Sequence, residues 1–169
     1  MRLFIAILLN DEMKDALEAM QAGMRRSGVR GNFTKRQNLH LTLAFIGEYD
    51  DPDKVLEVIR STGFRPFELW LTGTGAFRKL WWAGIDGGAA LGAYTRRLRR
   101  ALDEAGIPFD RKKFSPHITL VRQPSYNGGM TEAEILGALN GSGEAGMTVT
   151  RVSLMRSDRN ERGVIYTEL

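Results

Sequence analysis

Cysteine is absent from this chain of 169 residues. That excludes a disulfide scaffold, a thiolate nucleophile and a cysteine zinc site. Long apolar runs are missing too, and no stretch approaches the roughly 20 residues that span a bilayer. The opening run Leu3-Phe4-Ile5-Ala6-Ile7-Leu8-Leu9 is short and leads into Asn10-Asp11-Glu12 with no small-residue cleavage site. It reads as a buried strand rather than a secretion signal. Gly73-Thr74-Gly75 and Gly87-Gly88 lack the Lys-Ser/Thr of a P-loop and the spacing of a dinucleotide fingerprint. A soluble, cytoplasmic protein with no membrane contact is expected. It should be a monomer, since intrachain packing accounts for its apolar stripes.

Histidine is almost missing: there are two. Both stand in the same phrase, His40-Leu41-Thr42-Leu43 and His117-Ile118-Thr119-Leu120. On a strand, residues i and i+2 share a face. Each phrase therefore presents an imidazole beside a hydroxyl, with aliphatic side chains on the opposite, core-facing side. A lone strand histidine is usually structural and strand threonines are usually good β-formers, but a duplicated pairing points to function. Two imidazoles titrating near neutrality can divide acid and base roles, and the hydroxyls of Thr42 and Thr119 can donate to charge developing on a phosphoryl group. Two histidines supply at most half a zinc site and no carboxylate falls within either phrase. The expected site has no metal and no cofactor.

The formal charge is +4, from 24 basic and 20 acidic residues. Lys35-Arg36 precedes the first phrase, Arg111-Lys112-Lys113 precedes the second and Arg122 follows it. Basic groups around both histidines favour a phosphate-bearing ligand, and Arg122 can offer a planar charged fork. The run Arg96-Arg97-Leu98-Arg99-Arg100 reads as the outer face of a helix. Phe33, Tyr49 and Phe114 lie near the phrases and are candidates for stacking on a base. Of the adjacent Trp81 and Trp82, one should face the core and one the opposite side.

The patterning predicts a strand over 2–9 and a helix from Asp11 capped by Asn10, with Met13, Leu17, Met20 and Met24 turned inward. A loop with Gly28 and Gly31 leads to a strand over 39–47. A helix starts at Asp51-Pro52, strands follow over 67–72 and 79–85, and an amphipathic helix covers 89–105. The second motif strand spans 116–121. Thr131 and Glu134 make a capping box for a helix to Leu139, Gly141 to Gly146 reads as an exposed loop, and 149–154 with 164–167 as a hairpin across Asn160–Gly163. The motifs stand about half a chain apart in a repeated order of elements. This predicts one bilobal α+β domain over residues 1–169, two pseudo-symmetric lobes of mainly antiparallel sheet with flanking helices, and a central cleft.

Along nearly its whole length the chain resembles the two-histidine phosphoesterases, in particular the RNA 2′,3′-cyclic phosphodiesterase (2′-5′ RNA ligase) family. The resemblance rests on Arg2-Leu3-Phe4-Ile5-Ala6-Ile7, Asn38 to Gly47, Ser115 to Arg122, Val152 to Ser157 and Val164 to Thr167. It implies opposed histidines across a cleft and metal-independent opening of a 2′,3′-cyclic phosphate, on an RNA end or a nucleotide, to a 2′-phosphomonoester. It implies His40 as proton donor, His117 as proton acceptor, Thr42 and Thr119 on the phosphate and Arg122 at the substrate. Lys35, Arg36 and Phe114 are further substrate-binding candidates. ATP-independent 2′-5′ RNA joining uses the same groups. Another small cyclic nucleotide as substrate, or a non-catalytic RNA-binding module, are the competing readings.

Overall fold

Nine strands and four helices, with one short 3₁₀ turn at Arg36–Asn38, follow the chain in the order β1 (Arg2–Leu8), α1 (Asp11–Arg26), β2 (Arg30–Phe33), β3 (His40–Glu48), α2 (Pro52–Ser61), β4 (Phe67–Phe77), β5 (Leu80–Asp86), α3 (Gly88–Glu104), β6 (His117–Ser125), α4 (Glu132–Leu139), β7 (Gly146–Val149), β8 (Ser153–Asn160) and β9 (Gly163–Glu168). The computed structural model describes residues 1–139 and 145–169; these element counts refer to the described residues.

The helices begin where local chemistry satisfies their free amides. The Asn10 side chain accepts from Met13 N (2.9 Å) and Asp51 from Lys54 N (3.1 Å). Thr131 and Glu134 close a reciprocal capping box. Met13, Leu17, Met20 and Met24 are buried, so the stripe of α1 is core.

All the strands pair antiparallel, in a four-stranded sheet ordered β3-β1-β8-β9 and a five-stranded sheet ordered β2-β6-β5-β4-β7. The lobes meet where β3 packs against β6. Two strand–helix–strand units carry the pseudo-symmetry: β1-α1-β3 and β5-α3-β6, each with its two strands adjacent in one sheet. The sheets do not correspond to chain halves, however. β2, read from sequence as loop, adds to the edge of β6, while β8 and β9 return to complete the sheet of β1. A single large core cluster draws side chains from both sheets, and no helix among the described residues is long and apolar enough to cross a membrane.

Several boundaries differ from the sequence reading, and β6 runs on to Ser125 and β8 to Asn160. β4 runs on to Phe77 because its far half pairs with β5 as far as Leu80. The expected strand over 149–154 is two strands in different sheets, β7 on β4 and β8 on β1. Of the glycine-rich segment expected as a loop, residues 141–144 lie outside the described residues, and Gly146 is in β7, where Trp70 covers it.

Candidate active site

His40 and His117 open β3 and β6. The first five residues of the two strands share one burial pattern. Leu41, Leu43 and Ala44 are buried, as are Ile118, Leu120 and Val121, while each histidine and threonine is half-buried. Two buried residues in succession mark a β-bulge in each strand. Ile5 pairs with Ala44 but Ala6 with Thr42, leaving Leu43 extra; Trp81 pairs with Val121 but Trp82 with Thr119, leaving Leu120 extra. A bulge shifts the alternation by one residue. Without it Val121 would follow His117 and Thr119 onto the open face; with it Arg122 does, and Arg122 is exposed.

Both imidazoles are anchored identically. His40 Nδ1 donates to Asn38 O (2.7 Å) and His117 Nδ1 donates to Ser115 O (2.6 Å). A carbonyl only accepts, so Nδ1 carries hydrogen in each ring and Nε2 is left for proton exchange. His40 Nε2 lies 2.9 Å from Thr42 Oγ1. Burial holds the His40 pKa below the ordinary imidazole value. The Asn38 carbonyl opposes this, and the charges of Arg122 and His117 push it further down. Both groups therefore lie within electrostatic reach of His40.

Aromatic rings flank each histidine. His40 sits 4.9 Å from Phe4 and 5.1 Å, edge-on, from Tyr166. His117 sits 5.0 Å, edge-on, from Phe77 and 6.2 Å from Trp82. Trp81 is core and Trp82 faces the cleft, as adjacent strand residues must. A Cβ on Gly75 would lie 2.2 Å from the Trp82 ring, so the glycine seats the indole flat. Gly75→Ala is expected to cost about 1–3 kcal/mol through overpacking, read as a lower denaturant midpoint; an unchanged midpoint would show that the ring moves freely.

The other candidates from sequence have partners of their own. Arg36 is taken up by Asp11, Asp15 and Glu18 of α1 at 3.0, 2.6 and 2.5 Å, and these carboxylates raise its pKa. Lys35 is exposed and donates to Arg162 O (2.8 Å) in the β8–β9 turn. Phe33, Tyr49 and Phe114 pack against the main core, with Arg25 over Phe33 and Arg99 over Phe114. Arg111 pairs with Asp103. Arg99 does not lie on an outer face: it turns inward to Leu43 O. Phe4, Tyr166 and Phe77, which flank the histidines, lie outside the motif phrases. Among the described residues, no three His, Asp or Glu gather as a metal site would require.

The chain is similar to known proteins over most of its length. It is 28% identical over 177 residues to the RNA 2′,3′-cyclic phosphodiesterase of Methanothermobacter thermautotrophicus, covering 99% of this chain and 96% of that one. It is 32% identical over 136 residues to the protein of that name in Thermotoga maritima, covering 75% and 72%. The crystal structure of Escherichia coli LigT complexed with 3′-AMP superposes with a TM-score of 0.77 at 25% identity, over 99% of this chain and 94% of that one. The model of the 2′-5′ RNA ligase superfamily matches residues 10–161. With the paired His-Thr strands, this extent of match shows that the chain belongs to the 2′-5′ RNA ligase superfamily.

Proposed function

We propose that this chain hydrolyses 2′,3′-cyclic phosphates on RNA ends or nucleotides to 2′-phosphomonoesters, without a metal, as a cytoplasmic monomer. The duplicated histidine geometry carries the reading. Each Nδ1 is tied to the carbonyl two residues back, in two strands that pack together, which leaves two Nε2 atoms for one reaction. The names of the relatives from M. thermautotrophicus and T. maritima support the substrate class, and the 3′-AMP in the E. coli structure supports a nucleotide.

In this reading His117 Nε2 takes a proton from water as the water oxygen bonds to phosphorus. The bond from phosphorus to the 3′ oxygen breaks, and His40 Nε2 delivers the proton to that oxygen. Thr42 and Thr119 donate to the remaining phosphoryl oxygens. Arg122, whose charge already reaches His40, balances the phosphate. Phe77 and Trp82 offer apolar surface for a base beside His117. Lys35 serves only at the rim, and Arg36 and Phe114 act indirectly, by bracing α1 and Arg99. With a 5′ hydroxyl in place of water, the same proton transfers join it to a 2′,3′-cyclic end through a 2′-5′ linkage as the 3′ oxygen leaves, which fits the superfamily's description.

The test is turnover of adenosine 2′,3′-cyclic phosphate after chelator treatment, with 2′- and 3′-monophosphate products resolved. Release of the 2′-phosphate alone supports the reading; the 3′-phosphate alone would reverse the leaving oxygen.

A pH dependence follows from the His40 shift. An acid must hold its proton, so activity falls as pH rises through its pKa. In the free protein that pKa is lowered, which sets the basic limb of kcat/KM below the ordinary value of about 6.5. A bound phosphate anion opposes burial and Arg122, so the basic limb of kcat should lie at higher pH. Because kcat/KM reports the free protein and kcat the complex, comparing the two profiles checks the role of His40. A basic limb of kcat at or below that of kcat/KM would remove His40 as the donor. Each limb belongs to the coupled histidine pair.

A further inference from the structure

Gln21 is a polar residue inside an apolar helix face. It lies one turn beyond Leu17 on α1, is 3% exposed, and has Leu17, Met20 and Met24 buried around it. Its Nε2 donates to Leu120 O (3.0 Å) and to Thr34 O (2.8 Å). Leu120 is the extra residue of the β6 bulge, and its carbonyl also accepts from Thr34 N (3.0 Å). On the other side of the molecule, Arg99 of α3 donates from Nε (3.1 Å) and Nη2 (3.0 Å) to Leu43 O. Leu43 is the extra residue of the β3 bulge. Arg99 Nη1 donates to Lys112 O (2.8 Å), on the segment leading to His117.

The two contacts match and cross. The helix preceding the His40 strand holds the bulge of the His117 strand, and the helix preceding the His117 strand holds the bulge of the His40 strand. A bulge takes its extra carbonyl out of the regular ladder, and a buried carbonyl needs a donor. In both strands a side chain from the opposite unit donates to that carbonyl, at Leu120 beside the backbone amide of Thr34. The bulge also decides which residues face the cleft, because losing it would turn Arg122 toward the core and Val121 outward.

We infer that Gln21 and Arg99 are positioning residues for the reaction, each locking the bulge that sets the register of one histidine strand. The inference rests on the two-histidine reading above. Gln21 acts through Arg122 and Arg99 acts through His40.

The test is a double-mutant cycle in the full chain. Gln21→Met keeps the side chain's length and removes its donors, while Thr34 N still serves Leu120 O. Alone it should lower kcat/KM for adenosine 2′,3′-cyclic phosphate by about tenfold to a hundredfold, as a misplaced charged group does. In an Arg122→Ala background the same change should cost under about twofold, since coupled residues are not additive. Equal losses in both backgrounds, or none in either, overturn the role of Gln21. Arg99→Lys keeps the charge but cannot give one carbonyl two donors from a planar fork. It should admit water to His40 and move the basic limb of kcat/KM toward higher pH; a lower rate with an unmoved limb assigns Arg99 to stability alone. Turnover surviving in His40→Ala and His117→Ala sinks the two-histidine reading itself. Turnover lost in those variants, with an additive Gln21 effect, sinks only the positioning inference.

Discussion

His40→Ala and His117→Ala should each lower kcat/KM for a nucleoside 2′,3′-cyclic phosphate by about 10²–10⁴-fold, the usual contribution of a positioned acid or base. Each ring is tied at Nδ1 to a carbonyl two residues back, a short-range bond that fixes one tautomer and aims the other nitrogen. The two losses should not multiply, because acid and base act in one step. The double variant should therefore be little worse than the poorer single one. The variants also differ in stability. His40 is wedged between Phe4 and Tyr166, so its removal opens space in a packed cluster, whereas His117 sits against Phe77, which is 44% exposed. Steady-state kinetics with a melting curve for each variant separates lost chemistry from lost fold. If both single variants retain wild-type turnover, the proposed mechanism is wrong.

Trp81→Ala should lower stability by about 3–5 kcal/mol. Trp81 is 1% exposed and its Nε1 donates to Glu132 Oε1 at 2.7 Å, at the start of α4. Tyr126 lies 5.4 Å from it on the segment after β6. One side chain thus fastens β5, α4 and the end of β6 together. For a chain of this length, that loss corresponds to a fall in Tm of about 6–20 °C. Trp81→Phe keeps an aromatic ring and gives up the bond to an exposed glutamate, so it should cost only about 1 kcal/mol. A fall below about 3 °C for the alanine variant would mean that α4 holds its place without the indole.

The histidine strands were legible in the sequence because their signal is local. The alternation in His-φ-Thr-φ is a property of one strand, and repetition makes it stand out. The helix caps at Asn10, Asp51 and Thr131 are local too, and each forms as read. What was hidden depends on partners far along the chain. β2 has four residues, two of them glycine and asparagine, and becomes a strand only because β6 lies beside it. Phe4 sits in an uninterrupted apolar run, where nothing local distinguishes its face from that of Leu3 and Ile5; only pairing with β3 and β8 does. Lys35, Arg36 and Phe114, near the motifs in sequence, have partners that no local pattern reveals: acidic residues of α1 hold Arg36, and Arg99 lies over Phe114. Arg99 read as a solvated cation because a basic run does not reveal that one member faces a bulged edge.

The exchange of strands between the sheets has a consequence for the making of the protein. β1 needs β8, which begins at Ser153, and β2 must wait for β6, which begins at His117. During synthesis the His40 strand therefore has only β1 beside it, and a two-stranded ribbon is marginal in water. Tyr166 emerges later still. The five-stranded sheet has all its strands once β7 is made, whereas the sheet of His40 still waits for β8 and β9, and the high contact order of these pairings favours slow folding. The strand partners of His117 are thus made before those that complete the sheet of His40, and the proton exchange between the two imidazoles waits on β8 and β9.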